Sequence, residues 1–199
     1  SPPVTVTKVA EFMGVSAASA SEMIKRMEQN GLVDTSGSDG IALTDQGATE
    51  ARRLVRRMRL AERLLSDILK LPLPLIYDEA CKLEHALSDV VEDRLVEVLG
   101  DPDTCPHGFP IPSAEGRVAC PLTETMDDLE PGDEAQVISL PERDAPLLEY
   151  LTQHGIRPGV KVKVEEIAPF NGPMFLRIHD ERKALSREAL AEVRIQRLA

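Results

Sequence analysis

Residues 78–85 carry three side chains of the types that bind metal ions in proteins. Cys81, Glu84 and His85 are three and four positions apart, a spacing that places side chains on one face of an α-helix. A thiolate, a carboxylate and an imidazole together suit a first-row divalent transition metal such as iron, manganese, cobalt, nickel or zinc. The alternative is that Cys81 is a small buried hydrophobe, while Glu84 and His85 form a solvated face.

A second group of metal-binding residue types occurs further along the chain. Cys105 and His107 flank a proline in a segment rich in Pro and Gly. This spacing alone is a weak indication of a metal site, and a linker cysteine beside an exposed histidine is the alternative. Cys120 has no assigned role; it is structural or incidental, with zinc ligation left open. Because three cysteines are an odd number, a disulfide framework is disfavoured and a reducing cytoplasm is indicated.

The residues before these groups have the pattern of a DNA-binding module. A short helix with Thr7 as N-cap and Gly14 at its end precedes a second helix, which Ser16 caps and which runs to about Gln29. Two short helices joined by a tight turn make a helix-turn-helix. Residues 32–43 follow as a predicted β-hairpin, which favours a winged helix over a small helical domain with an incidental hairpin. Since a winged helix normally begins with one more helix, we expect such a helix before Ser1.

The remaining elements must position the metal-binding residues. Thr44 is predicted to cap a long helix to about residue 71, where Pro72 and Pro74 end it. A second long helix is predicted over residues 75–99. The apolar faces of both helices need more cover than one small subunit provides, which favours a symmetric dimer. A linker over residues 100–123 precedes a small β-module, whose predicted strands and helix cover residues 135–140, 145–154 (helix), 160–167, 174–178 and 193–195.

The charge is distributed unevenly along the chain. The formal net charge is −11, which is unfavourable for contacts with DNA phosphates. Residues 1–64, however, carry nine Lys/Arg against eight Asp/Glu, and residues 65–199 carry fourteen against twenty-six. The two ends of the chain are therefore expected to have different partners. No apolar run approaches the roughly 18 residues of a membrane span, and no signal-peptide pattern opens the chain, so we expect a soluble cytoplasmic protein with no membrane partner.

Three segments resemble the diphtheria toxin repressor family of metal-dependent bacterial transcription regulators. They are residues 59–65 (RLAERLL), residues 78–85 (DEACKLEH) and residues 110–112 (PIP). The resemblance implies an α+β chain with a winged helix-turn-helix, a helical dimerisation domain and a C-terminal SH3-like small β-barrel. The corresponding boundaries are 1–53 for the DNA-binding domain, 54–123 for the metal-binding and dimerisation domain with its linker, and 124–199 for the SH3-like domain.

The resemblance also implies two metal sites. The primary site uses Cys81, Glu84 and His85 with a further ligand from the first helix of the family. Manganese-responsive members with a Cys-Pro-His-Gly segment are similar in pairing it with a glutamate and an acidic residue of the SH3-like domain, which here match Glu62 and Asp144. The sequence departs from the iron-type auxiliary site, because Met58 and Tyr77 stand where that pattern has two histidines. Cys81 thus indicates iron and the Cys105/His107 segment manganese.

The recognition helix implied by the resemblance covers residues 16–30. Its N-terminal residues should meet base edges in the major groove of DNA. Because the helix is poor in Arg, Asn and Gln, which read bases through paired hydrogen bonds, we expect contacts from small residues and recognition of DNA shape. The expected DNA-binding residues are Thr5, Thr7, Ser16, Ala18, Ser19, Glu22, Lys25 and Arg26.

These features predict a homodimeric transcriptional repressor of metal-uptake genes that binds double-stranded operator DNA and is activated by Mn²⁺ or Fe²⁺, with other divalent transition metals able to substitute. One alternative is a winged-helix regulator that senses a small organic ligand. Another is a metal-binding enzyme, against which stand the absence of a Gly-rich phosphate loop and of a His-Glu-x-x-His pattern. A third is a metal-buffering protein. The sequence therefore favours a regulator that is not an enzyme.

Overall fold

A computed structural model describes residues 3–37, 40–119 and 121–198. Cys120 lies outside the described residues. The chain divides into two compact units, Ser1–Leu54 and Val55–Ala199. Among the described residues, no helix is both long enough and apolar enough to cross a membrane.

The first unit begins with the predicted pair of short helices. Helix α1 covers Val6–Met13, and Gly14 ends it in the left-handed conformation with φ 64°. Thr5 caps α1, because its side chain accepts a hydrogen bond from the backbone N–H of Lys8. The expectation that Thr7 is the cap was wrong: Thr7 lies inside the first turn of the helix.

The second helix and the hairpin follow as predicted. Helix α2 covers Ala17–Gln29, and the Ser16 hydroxyl caps it by accepting from the N–H of Ser19 at 3.1 Å. Ala20 and Ile24 form the buried face of α2. Strands β1 (Val33–Asp34) and β2 (Ala42–Leu43) pair antiparallel, with Val33 opposite Leu43. Residues 38 and 39 of the connecting turn lie outside the described part of the chain.

The helices that follow are shorter than predicted. Helix α3 covers Asp45–Arg63 and continues as a π-helical turn over Leu64–Ile68. The single helix predicted over residues 75–99 was wrong, since the chain forms α4 (Leu73–Leu83), a 3₁₀ turn (Glu84–Ala86) and α5 (Asp89–Leu99). Leu87 is extended, with ψ 115°, and the Ser88 hydroxyl accepts from the N–H of Val91. An N-cap serine therefore starts a new helix where the apolar periodicity suggested continuity.

One carboxylate joins α3 to α5. Glu92 accepts hydrogen bonds from Arg56 Nε at 2.8 Å and from Arg57 Nε at 2.9 Å. The Arg56, Arg57 and Glu92 side chains are 12%, 16% and 14% exposed. Because Arg56 also donates to the carbonyl of Pro112, this ion group connects two helices to the linker segment that follows α5.

Replacing Glu92 by glutamine should destabilise the protein by about 2 kcal/mol, because two largely buried guanidinium groups lose their shared negative partner. Urea denaturation followed by circular dichroism measures this change. The matched control is Glu97→Gln, which breaks an ion pair whose partners are 73% and 63% exposed and should cost less than about 0.5 kcal/mol. Equal losses of unfolding free energy in the two variants would show that burial does not increase the contribution of the Glu92 ion group to stability.

The C-terminal part of the second unit consists of β3 (Glu124–Thr125), β4 (Glu134–Ser139), α6 (Ala145–Gln153), β5 (Lys161–Ile167), β6 (Met174–Ile178), β7 (Glu181–Leu185), α7 (Arg187–Leu190) and β8 (Arg194–Arg197). Its strands form a six-stranded antiparallel sheet with the order β3-β8-β4-β5-β6-β7. Met126, Leu148, Leu176 and Ile195 belong to its core. The predicted strands and the α6 helix are present, while β3 and β7 are additional. Strand pairing in the described part forms an open series, consistent with an SH3-like fold.

Candidate metal centre

Four potential ligand side chains converge inside the second unit. Glu62 lies near the end of α3, Cys105 and His107 lie in the loop after α5, and Glu142 lies between β4 and α6. Their ligand atoms all lie within 4.8 Å of one another. We call Glu62, Cys105, His107 and Glu142 the buried cluster. Three separate stretches of sequence therefore contribute to one small volume.

The buried cluster contains polar atoms that lack hydrogen-bond partners. Glu62 and His107 are fully buried, and Cys105 is 1% exposed. Among the described residues, both carboxylate oxygens of Glu62, both ring nitrogens of His107 and Oε2 of Glu142 are buried without a hydrogen bond. His107 Nδ1 lies 3.4 Å from Glu62 Oε1, and this contact is an ion pair only when the imidazole is protonated. Leaving such atoms unsatisfied costs about 1–3 kcal/mol each, so the arrangement favours a bound cation.

The electrostatics of the cluster disfavour the charged forms of Cys105 and Glu142. Burial raises the pKa of the Cys105 thiol, and the negative charge of Glu62 raises it further. Burial also raises the pKa of the Glu142 carboxyl, again with a contribution from Glu62. Without a cation, Cys105 and Glu142 therefore hold their protons more tightly than usual. A bound positive ion would reverse this preference and release those protons.

The loop that carries Cys105 and His107 is fixed by backbone contacts. The N–H of Cys105 donates to the carbonyl of Phe109 at 2.8 Å, and the N–H of Gly108 donates to the carbonyl of Cys105 at 2.9 Å. The N–H of Leu140 donates to the carbonyl of His107 at 2.9 Å. Gly108 has φ +93°, and a Cβ there would lie 1.9 Å from the carbonyl oxygen of Ile138. The loop thus rests directly on the end of β4, immediately before Glu142.

The α3 side of the cluster is held by two arginines. Arg59 donates to the carbonyl of Pro110, and its guanidinium lies 5.3 Å from the centroid of the Phe109 ring. Arg63 Nε donates to the carbonyl of Thr104 at 2.6 Å. These contacts fix the loop backbone before Cys105, at Thr104, and after His107, at Pro110. Glu62, between the two arginines in sequence, therefore has a fixed position facing the loop.

The donor set fits a divalent transition metal. Sulfur and imidazole nitrogen suit zinc and iron, while carboxylate oxygen also suits manganese. Three of the predicted auxiliary-site residues, Glu62, Cys105 and His107, are brought together by the structure. Together with Glu142 they form a candidate site for such an ion inside the second unit.

The fourth member of the cluster differs from the prediction. Asp144 is the N-cap of α6 and its carboxylate accepts from the N–H of Leu147 at 2.9 Å. Glu142, two residues earlier, is the carboxylate that joins the cluster. The structure thus brings Glu142, and not Asp144, together with the other three side chains, and a metal-binding role for Asp144 stays a prediction. A capping pattern of Asp followed by Ala-Pro could have signalled this.

The other predicted site is arranged differently. Cys81 is half-buried, and Glu84 is 8% exposed. His85 Nε2 lies 3.4 Å from Glu84 Oε1, but the His85 side chain is 71% exposed. Within the described residues, the only group of at least three candidate ligands within reach of one ion is the buried cluster. The change from α-helix to 3₁₀ turn at Glu84 alters the rotation per residue, so spacing alone did not bring these three side chains together.

The residues predicted to contact DNA are all at the surface of the first unit. The exposed positions of α2 recur three and four residues apart, on the side opposite to Ala20 and Ile24. Thr5 and Ser16 additionally serve as helix caps. The predicted DNA-contact residues, all of them exposed, are Thr5, Thr7, Ser16, Ala18, Ser19, Glu22, Lys25 and Arg26.

Three stretches of the chain match described protein families. Residues 1–41 match the iron dependent repressor, N-terminal DNA binding domain. Residues 44–113 match the iron dependent repressor, metal binding and dimerisation domain. Residues 124–197 match the FeoA domain.

Individual proteins are similar over most of the chain. The iron-dependent repressor IdeR of Mycobacterium tuberculosis strain H37Rv is 33% identical, with 96% of this chain and 88% of that protein covered. A solved manganese-dependent transcriptional repressor in complex with manganese is similar with a TM-score of 0.90 at 33% identity, covering 100% of this chain and 92% of that chain. The manganese regulator SloR is similar with a TM-score of 0.78 at 28% identity, covering 98% and 90%.

Proposed function

The chain belongs to the iron-dependent repressor family, and on that premise we propose that it is a transcriptional repressor whose binding to double-stranded operator DNA requires a divalent metal ion. The observation that carries the metal requirement is the buried cluster, whose acidic and imidazole atoms lack hydrogen-bond partners. The proposal includes no catalytic step, and it locates the protein in the cytoplasm, where it can reach chromosomal DNA.

Glu62, Cys105, His107 and Glu142 are the proposed ligands of one ion. The ion would supply positive charge to a volume in which two carboxylates and a thiol are desolvated. It would join α3, the loop after α5 and the β4–α6 connection, because each contributes a ligand. Holding these three segments together would stabilise one arrangement of the dimerisation and SH3-like parts, which is the state that we propose binds DNA.

A second ion is proposed at Cys81, Glu84 and His85. The buried carboxylate of Glu84 supports this assignment, because burial raises its pKa and disfavours its charged form. His85 Nε2 already lies 3.4 Å from Oε1 of this carboxylate, although the His85 side chain is 71% exposed. The assignment of this second site depends mainly on family membership, whereas the assignment of the first depends on the geometry of the buried cluster.

Mn²⁺ or Fe²⁺ is the proposed activating ion, and other divalent transition metals are expected to substitute. A similar structure contains manganese, and another, of ScaR with TM-score 0.80 at 26% identity, contains Cd²⁺. The two carboxylates of the buried cluster favour manganese, whereas its thiol and imidazole favour iron or zinc. The cell's supply of each ion then decides which one acts.

DNA binding is proposed to use a homodimer that presents two copies of α2 to successive major grooves. The exposed hydroxyl groups of Ser16 and Ser19 and the methyl group of Ala18 would meet base edges. Lys25 and Arg26 would contact DNA phosphates, and Thr5 and Thr7 would make additional contacts with the DNA backbone. Glu22 would face the groove, where its charge limits the bases that it tolerates.

Metal dependence is tested by selecting binding sites from a random double-stranded DNA pool with the full chain and Mn²⁺, and then measuring affinity by fluorescence anisotropy. We expect the selected DNA to bind at least about 100-fold more weakly after chelation of the metal, because the binding-competent arrangement loses its ligand-dependent stabilisation. Re-addition of Mn²⁺ or, anaerobically, Fe²⁺ should restore binding.

Equal affinity with and without metal would reject the proposal. In that case the regulator that senses a small organic ligand becomes the better hypothesis. Lys25→Ala serves as the control for the DNA contacts, since it should weaken binding to all sequences while leaving metal affinity unchanged.

A further inference from the structure

An arginine and a tyrosine meet next to the buried cluster. The guanidinium carbon of Arg143 lies 5.7 Å from the centroid of the Tyr77 ring, a distance at which the positive charge is attracted to the face of the ring. Tyr77 belongs to α4, whereas Arg143 directly follows Glu142 in the connection between β4 and α6. The contact therefore joins α4 to the segment that carries one of the proposed ligands.

The carboxylate of Glu142 needs support from its surroundings. Among the described residues, its Oε2 atom is buried without a hydrogen-bond partner. Burial and the negative charge of Glu62 raise the pKa of Glu142, and Arg143 is among the cationic groups that act in the opposite direction. Repulsion between the two carboxylates thus favours withdrawal of Glu142 from the cluster when no ion is bound.

The backbone around Glu142 is fixed at two points. Before it, the N–H of Leu140 donates to the carbonyl of His107 at 2.9 Å. After it, the side chain of Asp144 accepts from the N–H of Leu147 at the start of α6. Residues 141–143 span the gap between these points, and the contact of Arg143 with Tyr77 lies inside this span. That contact can therefore determine where the Glu142 side chain begins.

We propose that Tyr77 and Arg143 are positioning residues of the buried cluster: their contact holds residues 141–143 against α4, so that Glu142 is in place before the metal ion binds. Both residues act through Glu142, and neither is a ligand. A preorganised site loses less conformational freedom when it binds its ion, so the contact should raise metal affinity. The inference rests on the proposed function and deepens it, because it names residues outside the ligand set that control metal affinity.

Tyr77 is itself fixed on α4. Burial, the charge of Cys81 and a hydrogen bond with the Cys81 sulfur raise the pKa of Tyr77 to about 12, so the phenol stays neutral at physiological pH and can donate to that sulfur. Cys81 is one helical turn after Tyr77, so this hydrogen bond runs along the helix. The hydroxyl group is therefore bound to α4, while the ring face is the part that contacts Arg143.

The test is a calorimetric titration of Mn²⁺ into the full chain carrying Cys81→Ser, which removes the thiolate of the second candidate site but keeps a hydrogen-bond acceptor for Tyr77. In this parent, Tyr77→Leu should weaken Mn²⁺ binding by about three- to fivefold, the range expected for one cation–π contact. Tyr77→Phe keeps the ring and should restore the affinity to within about 1.5-fold of the parent. Arg143→Ala should also weaken binding, whereas loss of a positive charge beside a cation site would by itself strengthen it.

Two further measurements separate positioning from a general loss of stability. The double variant Tyr77→Leu/Arg143→Ala should bind Mn²⁺ no more weakly than Tyr77→Leu alone, because both changes remove the same contact. In the metal-free chain, the backbone amides of residues 142–147 should exchange with deuterium faster in each single variant. Arg182→Ala is the matched control, since it removes a similar contact with the Phe175 ring on β6 at 4.2 Å and should change neither quantity.

The inference is overturned if Arg143→Ala binds Mn²⁺ as tightly as the parent or more tightly, or if the double variant shows the sum of the two losses in binding free energy. Arg143 is exposed, so Arg143→Ala should fold even if Tyr77→Leu does not. If the Cys81→Ser chain itself binds no Mn²⁺, the proposed metal centre fails together with the inference. Binding by that chain with no effect of Arg143→Ala rejects the inference alone.

Discussion

Exchanging Glu142 for glutamine is expected to weaken Mn²⁺ binding to the buried cluster by at least about 100-fold while making the metal-free protein more stable. The loss of affinity follows from removing one negatively charged donor out of four. The gain in stability follows from removing a desolvated carboxyl that lies close to Glu62. A loss of Mn²⁺ affinity together with a gain in metal-free stability, in one variant, distinguishes a binding site from an ordinary structural ion group.

The stability gain depends on pH in a defined direction. Burial and the charge of Glu62 raise the pKa of Glu142 above its ordinary value of 4.5. A carboxyl with a raised folded-state pKa contributes its stability below pH 4.5, and this contribution is lost as pH rises through the folded-state pKa. Glutamine cannot ionise, so the stability of the variant relative to the parent should increase as pH rises above 4.5.

Isothermal titration calorimetry with Mn²⁺ and urea denaturation of the metal-free protein between pH 5 and 8 measure the two effects. Parental Mn²⁺ affinity should also rise with pH, because binding displaces protons from Cys105 and Glu142. Asp144→Asn is the matched control, since this carboxylate is two residues away and caps α6. That variant should retain Mn²⁺ binding, and the loss of Mn²⁺ binding in both variants would return Asp144 to the site.

The pair Glu142 and Asp144 shows how far the sequence determines the site. The grouping of the candidate ligands Glu62, Cys105 and His107 could be predicted, because the segments that contain them resemble those of a known family. The choice between two acidic residues before α6 could not, since it depends on which carboxylate the helix terminus uses. Such a choice is made by three-dimensional contacts, here the hydrogen bond from the N–H of Leu147.

The helix containing Cys81 illustrates a second limit. Apolar periodicity over residues 75–99 indicated one helix, and the α4 and α5 segments were correctly identified as helical. The periodicity did not reveal the break at Leu87, where Ser88 and Asp89 begin a new helix. Strand β7 was missed because only Leu185 of its five residues is buried, so it lacks the alternation that predicts a strand.

Exchanging Gly108 for alanine should disrupt the buried cluster from the backbone side. The new Cβ would lie 1.9 Å from the carbonyl oxygen of Ile138, a distance that no rotamer relieves because both partners are close to the backbone. The loop must therefore move off β4, which we expect to cost about 3 kcal/mol or more. Cys105 and His107 would move with it, so Mn²⁺ binding should be lost although no ligand has been changed.

The matched control separates this clash from the cost of an unusual backbone conformation. Gly132 has φ +99°, close to the +93° of Gly108, but a Cβ there meets nothing within 4 Å. Gly132→Ala should therefore cost only the conformational strain of about 1–2 kcal/mol. It should keep the stabilisation by Mn²⁺, about 2.7 kcal/mol at a free concentration 100 times the dissociation constant. Thermal unfolding of both variants with and without Mn²⁺ measures these quantities. If Gly108→Ala keeps the same Mn²⁺-dependent stabilisation as Gly132→Ala, then contact of the loop with β4 is not what positions Cys105 and His107.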